Sequence, residues 1–335
     1  LSRGLGDVYK RQVIDAVDRD DAYEVLVLEL SSFQLHWAKQ AQFQAATILN
    51  IADDHLDWHG TFEAYADAKF SILDRAEIAI LNADDGAVVT RANRFSGRKV
   101  FFSIDTPAPG EIGVVEELLV DRAFVADPQQ ASMICELNDI VPTVPHNVSN
   151  ALAAAGLARA INVSHEDIQK ALQAFRPGRH RIEVIHEADG VTWVDDSKAT
   201  NPHATAASLM SHLSVVWIAG GLAKGADMDS LIERCAPRIK VAILVGEDRG
   251  LIEAALIKYA PTIPRILIDA PSDYTRGGES NSLMEAVVSA ASQHAQSGDA
   301  VLLAPACASM DQFISYADRG DRFAAAVRKV IAHEA

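Results

Sequence analysis

Cysteine is scarce in this chain, which has 3 cysteines among 335 residues. They are odd in number, far apart and without paired spacing. This excludes a disulfide framework and gives no sign of a cysteine-based zinc site. We therefore expect a protein of a reducing compartment, the cytoplasm. The three are Cys135, Cys235 and Cys307.

Positive charge and long apolar runs are also in short supply. There are 30 basic against 46 acidic side chains, and the formal charge of -16 opposes non-specific binding to nucleic acid or to an anionic membrane surface. No apolar run approaches the roughly 20 residues that span a bilayer. The sequence therefore predicts no nucleic-acid partner, no membrane insertion and a small-molecule ligand.

The chain does not begin with methionine, and its regular periodicity starts only near Val13. Residues 7–12 are similar to the translated end of a sequencing-library adapter, so we expect residues 1–12 to be non-native. At 335 residues and 49% hydrophobic, the chain is long enough for two domains, because single domains usually run to roughly 100 to 200 residues.

In the first half, short apolar runs alternate with amphipathic stretches, which is typical of a parallel sheet covered by helices. An Arg-Pro-Gly break at residues 176–178 ends this region. We predict a parallel-sheet α/β domain over residues 13–177. Its predicted elements are strands at residues 25–30, 45–51 and 79–82, a small sheet extension over 97–145 and a helix over 147–160.

The alternation returns after the break, and helices fill the gaps between the strands. Residues 178–335 are therefore predicted to form a doubly wound, Rossmann-like α/β domain. Gly220 and Gly221 follow the third strand, but two glycines after a strand are also an ordinary tight turn. The predicted strands are residues 182–186, 191–194, 215–219, 241–245, 265–268 and 300–304.

The most informative stretch is Asp-Asp-Ser-Lys-Ala-Thr-Asn-Pro at residues 195–202, directly after the apolar run 191–194. Ligand sites of open α/β sheets lie at the carboxyl ends of strands. We therefore expect these carboxylates, hydroxyls and amine to form part of a binding site. The alternative is a polar loop whose Asp and Ser cap the next helix.

Carboxylates and an imidazole follow two predicted strands of the first half. Glu29 ends the first strand, and Asp54 and His55 follow the second. Hard cations prefer carboxylate and water oxygens and tolerate one imidazole, so this set suggests a Mg²⁺ site. For His55, the alternative is an ordinary loop histidine.

Lys69 belongs to a helix that we predict over residues 62–76, with Thr61 as its cap. A buried ammonium can have its pKa lowered by about 3 to 5 units, and the neutral amine can take up carbon dioxide as a carbamate, an anionic metal ligand. The alternative is a lysine that extends to solvent from an apolar face. Offsets of three and four residues place Lys69 on one face with Phe62, Tyr65 and Leu73.

Seven segments together resemble the Mur ligase family, in order and at the family's spacing, from about residue 20 to 330. Within the family, the resemblance is greatest to the members that add D-glutamate. The Asp-Ser-Lys-Ala-Thr-Asn-Pro loop is the segment that separates these members from the others. The seven segments are residues 29–35, 50–69, 146–150, 176–183, 196–202, 220–225 and 305–313.

The resemblance implies an ATP-dependent amide ligase of peptidoglycan precursor synthesis. ATP would phosphorylate the alanyl carboxylate of UDP-N-acetylmuramoyl-L-alanine, and the amine of D-glutamate would attack the acyl phosphate. It also implies Mg²⁺ held by Glu29, His55 and carbamylated Lys69, where metal ions neutralise the charge that develops in transfer. These three residues and Lys198 would be the catalytic residues.

The resemblance further implies which residues hold the nucleotide and the acceptor. A guanidinium suits phosphate and a carboxylate suits ribose hydroxyls, whereas a dicarboxylate acceptor needs cations and hydroxyls. Tyr316 departs from the phenylalanine expected at its position. The nucleotide residues would be Asn150, Arg181 and Asp196. The residues at D-glutamate or the adjoining phosphates would be Lys198, Thr200, Lys224, Ser309 and Tyr316.

One feature of the family is missing from the sequence, the phosphate-binding loop Gly-x-x-x-x-Gly-Lys-Ser/Thr. Residues 220–225 match only its glycine spacing, because Ala226 follows where a lysine is required. The resemblance therefore implies that residues 13–177 are a partial ATP-binding domain and that the chain is a fragment, inactive alone. We also expect a monomer. Two alternatives stay open: a folylpolyglutamate-synthase-like ligase, and a ligand-binding module without turnover.

Overall fold

The computed structural model describes residue 16 and residues 23–52, 56–272 and 274–331. The chain divides into two compact units, each with its own six-stranded sheet. The first unit comprises the residues up to 140 together with 147–174. The second comprises 141–146 together with the residues from 175 onward. Within the described ranges, no helix is long and apolar enough to cross a membrane.

The strands of the first unit are β1 Phe43–Ile48, β2 Ala76–Asn82, β3 Arg98–Phe102, β4 Ile112–Val115, β5 Leu118–Asp121 and β6 Ser132–Glu136. Its helices are α1 Ser32–Trp37, α2 Leu56–His59, α3 Phe62–Phe70, α4 Gly86–Ala92, α5 Pro145–Ala160 and α6 His165–Ala174. The sheet follows chain order. β1 to β4 are parallel, and β5 and β6 add an antiparallel extension. The predicted parallel sheet with a small extension is confirmed.

Side-chain caps determine where helices of the first unit begin. At α1, Ser31 Oγ accepts from the N–H of Gln34 at 3.2 Å, and Gln34 Oε1 accepts from the N–H of Ser31 at 2.9 Å, which is a capping box. Thr61 caps α3 as predicted, since its Oγ1 accepts from the N–H of Ala64 at 3.2 Å. α3 is shorter than predicted, because the chain turns into a 3₁₀ helix at Leu73–Arg75.

The strand predicted at residues 25–30 is not formed. This segment has no regular secondary structure, and Val25, Leu26 and Val27 are 48%, 39% and 64% exposed. An apolar run becomes a strand only where a neighbouring strand pairs with its N–H and C=O groups. Among the described strands, β1 pairs with β2 alone. Glu29 therefore lies on an irregular segment rather than at a strand end.

The strands of the second unit are β7 Glu183–Ala188, β8 Val191–Asp195, β9 Val215–Gly220, β10 Ile239–Val245, β11 Arg265–Leu267 and β12 Ala300–Leu303. Its helices are α7 Pro202–Met210, α8 Asp229–Cys235, α9 Arg249–Tyr259, α10 Ser282–Ser292 and α11 Tyr316–Val330. The sheet order is β11-β10-β9-β12-β8-β7, parallel except for β7, which is antiparallel to β8. The predicted doubly wound domain is confirmed.

Burial on both faces explains why these strands read as continuous apolar runs. Along β9, Val215 and Trp217 belong to one hydrophobic cluster, and Val216 and Ile218 belong to another. The first cluster includes Leu256 of α9 and other side chains of α7 and α8, whereas the second includes side chains of α10 and α11. Helices therefore cover both faces of the second sheet.

The topology brings several loops to one edge of this sheet. β9 follows β8 along the chain but is not its neighbour, because β12 lies between them. Crevices outside the carboxyl ends of parallel strands are the usual ligand sites where the strand order changes in this way. The antiparallel β7 begins at this edge as well, since Glu183 pairs with Asp195 at the end of β8.

Candidate functional site

Three loops leave neighbouring strands at the carboxyl edge of the second sheet, and most predicted site residues of this unit lie on them. Lys198 and Thr200 follow β8, Lys224 follows β9, and Ser309 follows β12. Because the strand order is β9-β12-β8, the three loops are neighbours. Tyr316 begins α11 at the end of the loop that carries Ser309.

Backbone hydrogen bonds join these loops to one another. Leu222 and Ala308 exchange two N–H···O bonds of 2.9 Å, which connect the loops after β9 and β12. The N–H of Ala306 donates to the carbonyl of Ala199 at 3.0 Å, which connects the loops after β12 and β8. The predicted acceptor residues therefore stand on one cross-linked frame.

Gly220 and Gly221 allow the loops to approach this closely. Their φ angles are +121° and +130°, which glycine adopts without steric cost. A Cβ on Gly220 would collide with the carbonyl oxygen of Val245, and one on Gly221 with the carbonyl oxygen of Ala308. The two glycines therefore allow backbone segments to lie in close contact at this edge.

Four non-glycine residues with left-handed backbone lie on the segments that meet here. His180, Ile182, Lys224 and Ala306 have φ angles of +64°, +46°, +51° and +60°. For β-branched Ile182 such an angle is unusual. Strained residues persist only where their surroundings hold them, and they cluster at ligand sites. The strain therefore supports a functional interpretation of this edge.

A buried imidazole and a buried carboxylate organise the loop after β8. Nδ1 of His180 donates to Oδ2 of Asp195 over 2.7 Å, and Oδ1 of Asp195 accepts from the N–H of Ser197 at 2.9 Å. The carbonyl of His180 accepts from the N–H of Lys198 at 3.1 Å. The hydrogen bond to Asp195 raises the pKa of His180 above its usual value, although burial opposes this. The pair therefore holds the backbone just before the predicted acceptor residues.

Glu183 stands beside this pair. Among the described residues, His180, Glu183 and Asp195 are the one group of His, Cys, Asp or Glu side chains that could hold a metal ion, with ligand atoms within 4.8 Å of one another. Glu183 Oε2 already accepts from the N–H of His180 at 2.8 Å, and Asp195 is bonded as described. The group is a hydrogen-bonded network.

Asp196, the predicted nucleotide carboxylate, is 7% exposed. Burial raises its pKa to about 7, and the charge of Asp195 adds to this, whereas the N–H of Ile182 and the charge of Arg181 act against it. A carboxyl with this pKa can accept or donate a hydrogen bond near neutral pH. Arg181 is exposed, and Asn150 is exposed on α5 of the first unit.

The loop after β8 also begins α7. Asn201 is the cap, because its side chain accepts from the N–H of Ala204, and Pro202 occupies the first helical turn. The alternative that Asp and Ser of this loop cap the helix is therefore wrong, because the cap is Asn201. The carboxylate of Asp195 and the hydroxyl of Ser197 instead bond to groups within the site.

The predicted acceptor residues present two cations and two hydroxyls. Lys198 Nζ lies 4.0 Å from the centre of the Tyr316 ring, a cation–π contact. Lys224 is exposed, Thr200 is half-buried and Ser309 is 4% exposed. Ammonium and hydroxyl groups on adjacent loops are the chemistry that a dicarboxylate requires.

Sequence reasoning missed Arg319, which is 1% exposed on α11 and donates to groups of the loops after β8 and β12. No motif marks it. The available signal is its spacing, since Arg319 precedes the buried Phe323 by four residues and so shares the apolar face of the helix.

The predicted metal residues belong to the first unit. His55 lies outside the described residues, and Glu29 is an exposed carboxylate. Lys69 is half-buried on α3, with Nζ 5.9 Å from the centre of the Tyr65 ring. As a free amine it is not a ligand for a hard cation. In the described part of the chain, the proposed set thus supplies one oxygen ligand for Mg²⁺, which is not a complete site.

Comparison with known proteins decides the family. The model of the Mur ligase middle domain matches residues 7–158, and that of the Mur ligase glutamate ligase domain matches residues 180–307. The chain belongs to the Mur ligase family. The first match begins within the segment 1–12 that we expect to be non-native.

Several curated relatives of this chain carry the name UDP-N-acetylmuramoylalanine–D-glutamate ligase. The Streptomyces coelicolor protein is 49% identical over 324 residues, which cover 95% of this chain and 67% of that protein. The Thermobifida fusca protein is 49% identical over 322 residues, which cover 94% of this chain and 68% of that protein. The Leifsonia xyli protein is 43% identical, and the match covers 95% of this chain and 63% of that protein. The chain thus spans about two thirds of the length of these relatives.

Several solved structures share the fold. MurF from Acinetobacter baumannii has a TM-score of 0.58 at 19% identity, covering 90% of this chain and 61% of that one. A pseudomurein peptide ligase type C from Methanothermus fervidus has a TM-score of 0.58 at 17% identity, covering 91% and 66%. A bifunctional folylpolyglutamate synthase/dihydrofolate synthase from Yersinia pestis has a TM-score of 0.51 at 18% identity, covering 86% and 62%. At these identities the likeness concerns the fold alone.

Proposed function

We propose that this chain is part of an ATP-dependent ligase that joins D-glutamate to UDP-N-acetylmuramoyl-L-alanine through an acyl phosphate, in peptidoglycan precursor synthesis. Relatives that are 49% identical over almost the whole chain carry the name of this ligase. The observation that supports it most directly is the convergence of Lys198, Thr200, Lys224 and Ser309 on three cross-linked loops.

In the second unit, the proposal gives each acceptor residue a role. Lys198 and Lys224 would pair with the carboxylates of D-glutamate, and Thr200 and Ser309 would donate hydroxyl hydrogen bonds to them. Tyr316 would orient Lys198 through the ring contact. Two fixed cations orient a dicarboxylate, so that its amine is presented to the reacting carbonyl carbon.

The proposed nucleotide contacts differ from the acceptor contacts, because they use a carboxylate, a guanidinium and an amide. Asp196 would bond to the ribose hydroxyls of ATP, and the exposed guanidinium of Arg181 would bond to a phosphate. In the first unit, the exposed amide of Asn150 is also a proposed nucleotide-binding group. Support comes from the position of Arg181 and Asp196 at the carboxyl edge of the sheet, where Asp196 accepts from the N–H of Ile182 at 3.4 Å.

The proposed metal residues are Glu29, His55 and Lys69, the last as a carbamate that would supply the second anionic ligand. When bound, Mg²⁺ would neutralise negative charge on the phosphates. The sequence has no phosphate-binding loop. This chain alone is therefore expected not to turn over ATP.

The proposed compartment is the cytoplasm. Cys135, Cys235 and Cys307 are all free and buried, which suits a reducing environment. Burial raises the pKa of Cys135 and of Cys307 to about 12, so these thiols are not poised to react. A monomeric state stays a prediction.

The test uses the product of the genomic reading frame that contains residues 23–331. It should release ADP only when ATP, UDP-N-acetylmuramoyl-L-alanine and D-glutamate are all present, and L-glutamate should not replace D-glutamate. Glutamylation of a folate acceptor instead would favour the folylpolyglutamate-synthase-like alternative. Binding of D-glutamate without ADP release by this full product would favour a module without turnover.

A further inference from the structure

Arg319 is a buried cation that contacts two loops of the candidate site and the end of β9, from which the third loop leaves. Its Nε donates to Ser197 Oγ at 2.9 Å, and its Nη2 donates to the carbonyl of Ser197 at 3.0 Å. Both Nη atoms donate to the carbonyl of Cys307 at 3.2 Å, and Nη1 also reaches the carbonyl of Gly220 at 3.5 Å. One side chain thus bonds the loops after β8 and β12 and the end of β9.

Each accepting group is close in sequence to a proposed acceptor residue. Ser197 directly precedes Lys198, Cys307 lies two residues before Ser309, and Gly220 lies four residues before Lys224. The Ser197 hydroxyl, while accepting from Arg319, donates to the carbonyl of Tyr316 at 2.7 Å. A shift of the guanidinium would therefore move all of these residues at once.

Arg319 is charged, which makes the loss of any of its hydrogen bonds costly. Burial lowers its pKa to about 10, so the guanidinium is still charged at neutral pH. Within the described ranges, its hydrogen-bond partners are carbonyls and a hydroxyl, and it makes no ion pair with a carboxylate. A buried charge that loses hydrogen bonds is costly, whereas an apolar residue could fill the same volume without that cost. Stability alone does not account for an arginine here.

We propose that Arg319 is a positioning residue, which sets the relative placement of Lys198, Lys224 and Ser309 for the D-glutamate acceptor. It acts through the backbone of the loops, because it is itself enclosed by them. The inference rests on the proposed function for the identity of the acceptor. Whether Arg319 holds the loops in place can be measured without knowing the acceptor.

The first test is hydrogen–deuterium exchange on this chain, comparing wild type with Arg319→Lys and Ser197→Ala. Lysine keeps the charge but lacks the planar fork of five donors. Ser197→Ala removes the two hydrogen bonds of the Ser197 hydroxyl, the one from Arg319 and the one to the carbonyl of Tyr316. The matched control is Arg322→Lys on the same helix, where the guanidinium bonds Asp318 and the carbonyls of Ser280 and Gly278.

In Arg319→Lys, exchange should become about tenfold faster or more at the loop amides that are now hydrogen-bonded, those of Lys198, Leu222 and Ala308. Amides within β9 and β12 should keep their protection. Ser197→Ala should show a smaller effect confined to the loop after β8, and Arg322→Lys should leave all three loops unchanged. Unchanged loops in Arg319→Lys, or uniform acceleration through the whole second unit, would overturn the proposal.

The second test measures KM values of the product of the genomic reading frame. Arg319→Lys should raise the KM for D-glutamate about tenfold or more, with a smaller change for ATP. Equal KM values for D-glutamate in wild type and variant would overturn the positioning role. A wild-type product that does not use D-glutamate would instead contradict the proposed function, and the exchange experiment would still decide whether Arg319 holds the frame.

Discussion

At the scale of single residues, the second unit holds several charged groups in its interior, and each has a specific hydrogen-bonding reason to be there. Asp195 bonds His180 and an N–H, and Arg319 bonds three carbonyls and a hydroxyl. Buried polar groups are tolerated when they are hydrogen-bonded in this way. The same residues lie directly behind the exposed or half-buried groups proposed to meet ligands. The interior therefore determines where the ligand-binding side chains stand.

Lys224 is the proposed acceptor cation that can be changed with least effect on folding, because it is exposed. In the product of the genomic reading frame, Lys224→Ala should raise the KM for D-glutamate about 10 to 150-fold and the KM for ATP much less. The reason is that a hydrogen bond to a charged group contributes about 1.5 to 3 kcal/mol. The matched control is Lys258→Ala, which removes a surface lysine paired with Asp229. Equal KM values for D-glutamate in Lys224→Ala and wild type would remove Lys224 from the acceptor site.

Lys69 is proposed to carry a carbamate. This chain, incubated with ¹³C-bicarbonate, should show a carbamate carbon signal by NMR that is absent in Lys69→Ala and kept in Lys170→Ala, a change at an exposed lysine of α6. In the product of the genomic reading frame, Lys69→Ala should lower activity at least about 10 to 100-fold, the loss seen when outer partners of metal ligands are removed. A wild-type spectrum without the signal, together with full activity of Lys69→Ala, would favour the lysine that extends to solvent.

At the scale of elements, α11 packs against the loop after β8 at unusually short range. A Cβ on Gly320 would collide with Nδ1 of His180 and with Oδ2 of Asp195, the two atoms of the buried pair. Glycine at this helical position therefore allows the helix to seat Arg319 among the loops. The loss of helix propensity at a glycine, about 0.5 to 1 kcal/mol relative to alanine, is offset by that packing.

Gly320→Ala should lower the free energy of unfolding by about 1 to 3 kcal/mol, as overpacking of a filled interior does. Gly250→Ala is the control, because Gly250 lies on α9 and a Cβ there meets nothing within 4 Å. This change should leave stability unchanged or raise it slightly. Chemical denaturation of both variants checks the comparison. Equal stabilities for the two variants would show that α11 can move away from the buried pair.

The sequence predicts the strands of the second unit well, because strands buried on both faces read as continuous apolar runs such as residues 215–219. Parallel pairing brings the loops after β8, β9 and β12 to one edge of the sheet. The prediction of a strand at residues 25–30 is wrong. A strand forms only by hydrogen bonding to a neighbouring strand, and an apolar run does not show whether such a neighbour exists. Arg319 escapes prediction for a similar reason, since its carbonyl partners come from distant loops.

At the scale of the whole chain, the two units have separate sheets and separate hydrophobic clusters. Unfolding therefore need not follow a single transition. Tryptophan fluorescence can follow the second unit, because Trp193 and Trp217 are 2% and 0% exposed there, whereas Trp37 and Trp58 of the first unit are 78% and 47% exposed. The stability of the second unit can be measured against pH in this way.

Asp196 and His180 of the second unit have raised pKa values that affect stability between about pH 4 and pH 8. Asp196 has its pKa raised to about 7, so its contribution to stability is full below about 3.8 and falls as pH rises towards 7. His180 has its pKa raised, so its contribution is full below about 6.5 and is lost as pH rises through the higher folded value. Through these two groups, the unfolding free energy of the second unit falls as the pH rises from about 5 to 8. Burial lowers the pKa values of His146 and His212, which acts in the opposite direction.

Variants of these two groups isolate their part of the pH dependence. Asp196→Asn should flatten the fall in unfolding free energy between pH 5 and 7, a fall of at most about 1.4 kcal/mol per pH unit for one proton. His180→Gln should flatten it above pH 6.5. Because the two groups and Asp195 are close, the variants should be compared as differences from wild type across the whole range. Parallel curves for wild type and Asp196→Asn would show that Asp196 titrates normally.

The most direct test of the central claim, that the second unit of this chain is a D-glutamate site, is a calorimetric titration of the chain with D-glutamate and with L-glutamate. The account predicts that D-glutamate binds about tenfold more tightly or more. Once both carboxylates are paired, the two enantiomers direct the amine differently, and only one direction can meet a hydrogen-bond partner in the site. Lys224→Ala should abolish the difference. Equal affinity for the two enantiomers in the wild-type chain, or no binding of either, would contradict the claim.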